Sequence, residues 1–213
     1  MASLTGRVAR IAITAAAATP STDNAADLST DGVTLPITST GRRHWANNTT
    51  SLVVAIGGTP TTDAFTADYV QGIVTFSTPH STASTYTIDV DYLTSSFVGE
   101  GRSWEVQTDT PMQDRTVFST STSDVTWRKV LPGITGGTVT IERFAAGSTG
   151  PAFFDRLAAG TETIVELWMD HATRNKLEGF AYVSGDGYTL PISGDPGESV
   201  TLTLNGALSL TTV

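Results

Sequence analysis

Residues 125–144 read VTWRKVLPGITGGTVTIERF, and they offer two incompatible structures. Arg128 and Lys129, close to Pro132-Gly133 and Gly136-Gly137, form either a phosphate cradle or the corner between two strands. A Walker loop places its lysine directly after the last glycine and opens a helix, so that ammonium and backbone N–H groups converge on the phosphates. Here the basic pair precedes the glycines, and Gly136-Gly137 runs into TVTIERF, which alternates apolar and polar residues. That period of two belongs to a strand with one buried face. The stretch therefore predicts a loop entering a sheet.

The same alternation dominates the chain. In TYTIDVDYL, Tyr86, Ile88, Val90 and Tyr92 face one way, and Thr85, Thr87, Asp89 and Asp91 the other. GRSWEVQTD sets Trp104 and Val106 against Glu105, Gln107 and Asp109, and ESVTLTLNG repeats the pattern with Val200, Leu202 and Leu204. Turn signals at Gly57-Gly58, Gly72, Asp186-Gly187 and Asp195-Pro196-Gly197 separate short strands. Such punctuation reads as a β-sandwich or barrel. One segment, PAFFDRLAAG, has Pro151 in a first turn, an apolar set of Phe153, Phe154, Leu157 and Ala158, and Gly160 as a stop. It predicts a single short helix over about 151–159 covering an open end or face of the sheets.

The expected organisation is one domain over 1–213, with a β-meander at about 49–94 as a possible insertion. Its strands are expected at Leu52–Ile56, Phe65–Val70, Ile73–Phe76 and Tyr86–Leu93, with Gly72 turning a hairpin. DGVTLPITS from Asp31 and DGYTLPISG from Asp186 nearly repeat, which reads as convergent strand-edge chemistry, since Pro36 and Pro191 cannot donate to a ladder.

Lys and Arg total 12 against 21 Asp and Glu, a formal net charge of −9. So acidic a chain is a poor grip for phosphate backbones. There is no cysteine, which excludes disulfides, thiolate metal sites and thiol nucleophiles. No apolar run reaches the ~18 residues of a membrane span. Arg7 and Arg10 ahead of IAITAAAATPS imitate a signal peptide, but a strand followed by an Ala-rich segment is the expected reading.

Candidate chemistry is sparse. His44, His80 and His171 stand apart, each in a polar, turn-like context, without zinc-ligand spacing. Asp170-His171 would be the core of any hydrolase site, yet no nucleophile elbow accompanies it. Asp23, Asp27 and Asp31 recur at helical rather than calcium-loop spacing, and Asp186, Asp195 and Glu198 surround turns. No catalytic residue, cofactor or metal is expected. In TETIVELWMD, Glu162, Ile164, Glu166 and Trp168 share one face. That mixture fits a face covered by another subunit, one lining a polar channel, or a solvated face with Trp168 half covered by a loop.

The second half resembles the tail tube (major tail) proteins of long-tailed, non-contractile bacteriophages. The resemblance is carried, in order, by TWRKVLPGITGGTVTIERF, FFDRLAAGTETIVELWMD, LEGFAYVSGDGYTLPI and SVTLTLNGALSL, over about 101–213. NGALSL departs from the family, which often has two glycines there. The resemblance implies a mainly β protein, a sandwich flanked by one helix. Six copies would form rings that stack around a tape-measure protein, end at tail terminator and tip proteins, and later conduct double-stranded DNA without specific binding. The expected location is the virion tail, after assembly in the host cytoplasm.

On that reading Trp127, Arg128, Lys129, Leu131, Pro132 and Gly133 are expected at a subunit interface, together with Phe65, Tyr69 and Phe76. Glu105, Asp109, Glu162 and Glu166, each on the wetter face of its strand, are expected to line the lumen. The alternative is a carbohydrate- or surface-binding β-sandwich with Trp45, Trp104 or Trp168 as a stacking platform.

Overall fold

A computed structural model describes residues 9–15, 17–47, 51–110, 112–114, 130–132, 136–144, 151–170, 175–189, 191 and 196–212. The first strand, β1 (Ala9–Thr14), is followed by β2 (Thr19–Ala26), β3 (Thr34–Pro36), β4 (Val53–Ile56), β5 (Thr59–Pro60), β6 (Phe65–Asp68), β7 (Ile73–Phe76) and β8 (Tyr86–Tyr92). The chain continues through β9 (Ser95–Asp109), β10 (Met112–Asp114), β11 (Val130–Pro132) and β12 (Gly136–Phe144). Helix α1 (Pro151–Ala159) precedes β13 (Glu162–Asp170), β14 (Asn175–Thr189), β15 (Gly197–Leu204) and β16 (Ser209–Thr212). The protein is mainly β with one short helix, as the alternation predicts.

Six strands close on themselves. β1 pairs with β9, β9 with β12, β12 with β15, β15 with β14, β14 with β13, and β13 with β1, every pair antiparallel. Closure removes the exposed ladder edges that an open sheet would present. β16 adds to the beginning of β14, on the side that β15 occupies further along. The inward residues are those of the alternating sets: Ile11, Ile13, Val139, Ile141, Val165, Leu167, Val200 and Leu202 form one buried cluster. A barrel this small is filled by its own side chains, so it contains a core and no channel. Phe153 of α1 is wholly buried in that cluster, with Leu157 packed beside it. Gly160, at φ +58, ends the helix in the left-handed conformation typical of a C-terminal stop.

Residues between β1 and β9 build a second core. β2, β8, β4 and β5 form one sheet, and β3, β7 and β6 another. Between them lie Leu35, Trp45, Val54, Val74, Phe76, Tyr86, Ile88 and Val90. The expected β6–β7 hairpin forms, with Gly72 at φ +68. A Cβ there would approach the Arg43 carbonyl oxygen at 2.5 Å, so both conformation and space demand glycine. Pro36 lies on β3, an edge strand, where its missing N–H costs the ladder nothing.

The aspartates at helical spacing are not on a helix. Asp23 belongs to β2, at the bulge between Ser21 and Asn24, with φ +53. Asp31 closes a turn by accepting hydrogen bonds from the Val33 and Thr34 amides and the Thr34 hydroxyl. Local side-chain-to-backbone bonding overrides the spacing.

Candidate assembly surface

The outward residues of β9, β12, β15, the later part of β14 and the start of β13 make one continuous face. Cross-strand register aligns Glu105 with Thr140 and Thr140 with Thr201, and in the next row Gln107, Thr138, Thr203, Tyr182 and Glu162. Alternation puts Trp104, Val106, Val139 and Ile141 inside, which leaves threonines and acids outside. Glu105, Asp109 and Glu142 are exposed on this face, and Glu162 is half-buried, accepting from the Asn205 amide. Away from the second unit, the side chains described on this face include those four carboxylates and no cation, whereas Lys176 and Glu178, on the same side of β14, lie under the second unit. Three of the four acids expected to line a lumen thus share one surface.

The fourth does not. Glu166 is 4% exposed, because the face it shares with Ile164 and Trp168 is covered by residues of the second core. The cover comes from the same chain, neither from a neighbouring subunit nor from a channel. Ile164 packs against Val70 and Leu93. Glu166 accepts from His44 Nε2 at 2.6 Å, Lys176 Nζ at 2.9 Å and Trp168 Nε1 at 3.2 Å. Lys176 Nζ also lies 3.0 Å from Glu178, which is bonded to Arg43 and to the Thr211 hydroxyl. Burial pushes the Glu166 carboxyl up, but hydrogen bonds and charge from His44 and Lys176 outweigh it and hold the group well below the usual carboxylate range.

His44, Glu166 and Glu178 offer ligand atoms within 4.8 Å of one another, the spacing of a metal site. The Lys176 ammonium touches both carboxylates and supplies the positive charge itself. The sequence sets His44 apart in a polar, turn-like context, and this cluster is not visible there. No local spacing could reveal a pair 122 residues apart.

The other expected interface residues divide in two. Phe76 is buried in the second core, with Phe65 edge-on at 6.3 Å. Tyr69 stands edge-on to Trp45 at 6.2 Å. Phe76 thus serves a core and is not available to a subunit contact, and half-buried Phe65 and Tyr69 pack against the same core, because two facing sheets need large side chains to fill the gap between them. Leu131 and Pro132 lie in β11, which pairs with β10. Trp127, Arg128, Lys129, Gly133 and His171 lie outside the described residues.

Of the three candidate stacking platforms, Trp45 is fully buried, with Nε1 donating to the Arg42 carbonyl. Trp104 packs on the barrel core, and Trp168 has Lys176 over its ring at 4.9 Å. His80 is engaged too, its ring 4.3 Å from Phe76.

A second ionic cluster closes one end of the barrel interior. Arg143, 1% exposed, donates to both Glu198 carboxylate oxygens at 2.7 and 2.8 Å and lies over the Phe153 ring. Burial and the neighbouring Glu198 charge push the Asp186 carboxyl up, with Tyr188 and Arg143 opposing in part. The pairs Arg143↔Glu198 and Asp186↔Val200 place these groups on the inward side, where the β14 bulge between Val183 and Gly185 turns Asp186 inward.

No family model and no curated protein matches the chain. Among solved structures it is similar to a chain in the tail of an empty gene transfer agent (GTA) particle. That match has a TM-score of 0.46 and 15% identity, over 56% of this chain and 87% of that one. It is also similar to a chain in the virion of a native GTA particle, with a TM-score of 0.42 and 13% identity over 78% and 100% of the two chains. For the SPP1 tail tube the values are 0.33 and 15%, over 53% and 66%.

Proposed function

We propose that the protein is a structural subunit of a virion tail tube, whose copies associate into rings and stack into a conduit for double-stranded DNA. One observation carries the reading. The four sequence stretches that resemble tail tube proteins fall, in order, on β11–β12, α1–β13, β14 and β15–β16, and so supply most of the six-stranded barrel and its helix. The barrel interior is packed solid, so any conduit must run between protomers and be walled by an outward face.

The face of β9, β12, β15, the later part of β14 and the start of β13 suits that wall. Glu105, Asp109, Glu142 and Glu162 repel phosphate, and the threonines between them leave it wettable without cationic anchors. Hexameric rings, a tape-measure protein within the growing tube, terminator and tip proteins at its ends, and a passage from host cytoplasm to virion belong to the same reading. No catalytic step is part of it.

Electron microscopy of the purified protein tests the proposal. Rings or hollow tubes with a bore wide enough for a duplex are expected. A compact monomer at every concentration would sink it.

A further inference from the structure

The two cores are joined by little. The chain crosses between them at 15–18 and again at 93–94, where the Ala15 amide donates to the Thr94 carbonyl at 2.8 Å. No strand of the barrel sheet pairs with a strand of the second unit among the described residues. The apolar contact is a small cluster around Val70, Leu93 and Ile164. Beyond it, Gln71 donates to the Thr211 hydroxyl at 3.4 Å, and the other described polar contacts are ionic: Arg43 and His44 reach from the second unit to Glu178 and Glu166 on the barrel wall, with Lys176 between the two carboxylates. Beside these groups a cleft of about 430 Å³ opens, lined among others by Thr40, Thr94, Trp168 and Lys176, so the joint is not packed like a core.

The two sides of this contact are rigidly mounted. Trp45 anchors the 42–46 segment on its own unit through its ring N–H to Arg42 and its amide to Tyr69, while the Leu93 amide holds the His44 carbonyl. His44 Nδ1 lies 2.7 Å from the Val70 carbonyl, which can only accept, so that nitrogen carries a proton. His44 Nε2, 2.6 Å from Glu166, completes the contact across the joint. On the other side, Glu166, Lys176 and Glu178 stand on adjacent positions of paired strands β13 and β14.

We infer that these five residues form an ionic latch which fixes the second unit against the barrel, and that opening it lets the unit swing on its two tethers while both cores stay folded. Rigid-body movement about a short hinge is the expected consequence of a joint held by few, directional contacts. Packed cores, by contrast, do not deform continuously.

The absence of cysteine makes the test clean, because a cysteine pair replacing exposed Thr59 and Thr140 gives one spin label on each unit. Distances are read by double electron–electron resonance on the full chain diluted into unlabelled protein. Two latch variants are compared with the parent, Arg43→Gln/Glu178→Gln and His44→Gln/Glu166→Gln. The first removes one cation with one anion and leaves Lys176 paired with Glu166; the second removes both ends of the His44–Glu166 contact and leaves Lys176 paired with Glu178. The parent should give a single narrow distance, and each variant should lose it for a broad distribution while circular dichroism stays that of the folded protein. Narrow distances in all three proteins would overturn the latch. Unfolding of the variants would overturn it equally, since the five residues would then be part of a core.

Discussion

Glu166 and Asp186 are carboxylates on neighbouring strands of one barrel, and their surroundings drive them in opposite directions. Glu166 is held ionised by His44 and Lys176, so its contribution to stability is present above the ordinary carboxylate range and lost as pH falls through its lower folded value. Glu166→Gln should flatten the acid limb of a thermal-denaturation pH profile. Glu166→Lys should cost at least about 3–5 kcal/mol, measured by urea titration, because it replaces a buried carboxylate with an ammonium directly beside Lys176. Asp186 is raised by burial and by Glu198, so its protonated form suits the fold. Its contribution is full at acid pH and lost as pH rises through the folded value. Asp186→Asn should therefore raise the melting temperature at neutral pH, with the gain shrinking towards zero in acid. A gain independent of pH would refute the assignment.

At the scale of elements, two contacts separate structural from solvent-facing positions. Phe153→Ala in α1 removes a fully buried ring that packs on the barrel and carries Arg143 over its face, and should cost about 3–5 kcal/mol. Gly72→Ala should cost well over about 1 kcal/mol, because it forces a positive φ and a Cβ into the Arg43 backbone. Calorimetry of both variants checks these values. Strands β4, β6, β7, β8, β9, β12 and β15 and the helix were legible, because each is written in a local period and bounded by local turn residues. Closure was not, since β1 meets β13 through partners such as Arg10↔Trp168, a pairing no short-range period encodes. For the same reason Phe76 read as a surface anchor. Alternation says which residues share a face, but not whether a second sheet lies over it.

For the whole molecule, the acidic face makes a prediction separable from folding. Glu105→Lys/Glu162→Lys should leave thermal stability within about 0.5 kcal/mol of the parent, since neither group is deeply buried. If the face walls a conduit, tubes of that variant should retain duplex DNA at low salt and release it as salt rises. Equal passage of DNA through both tubes would remove the face from that role. The side-by-side tethers have a consequence of another kind. β1 and β9 are antiparallel neighbours, so the entire 15–94 excursion occupies the tip of what is topologically a β-hairpin. Closing a long loop costs only slightly more than closing a short one. The tip is thus a port at which a barrel of unchanged connectivity can carry a guest of almost any size, provided the guest's own ends lie close together.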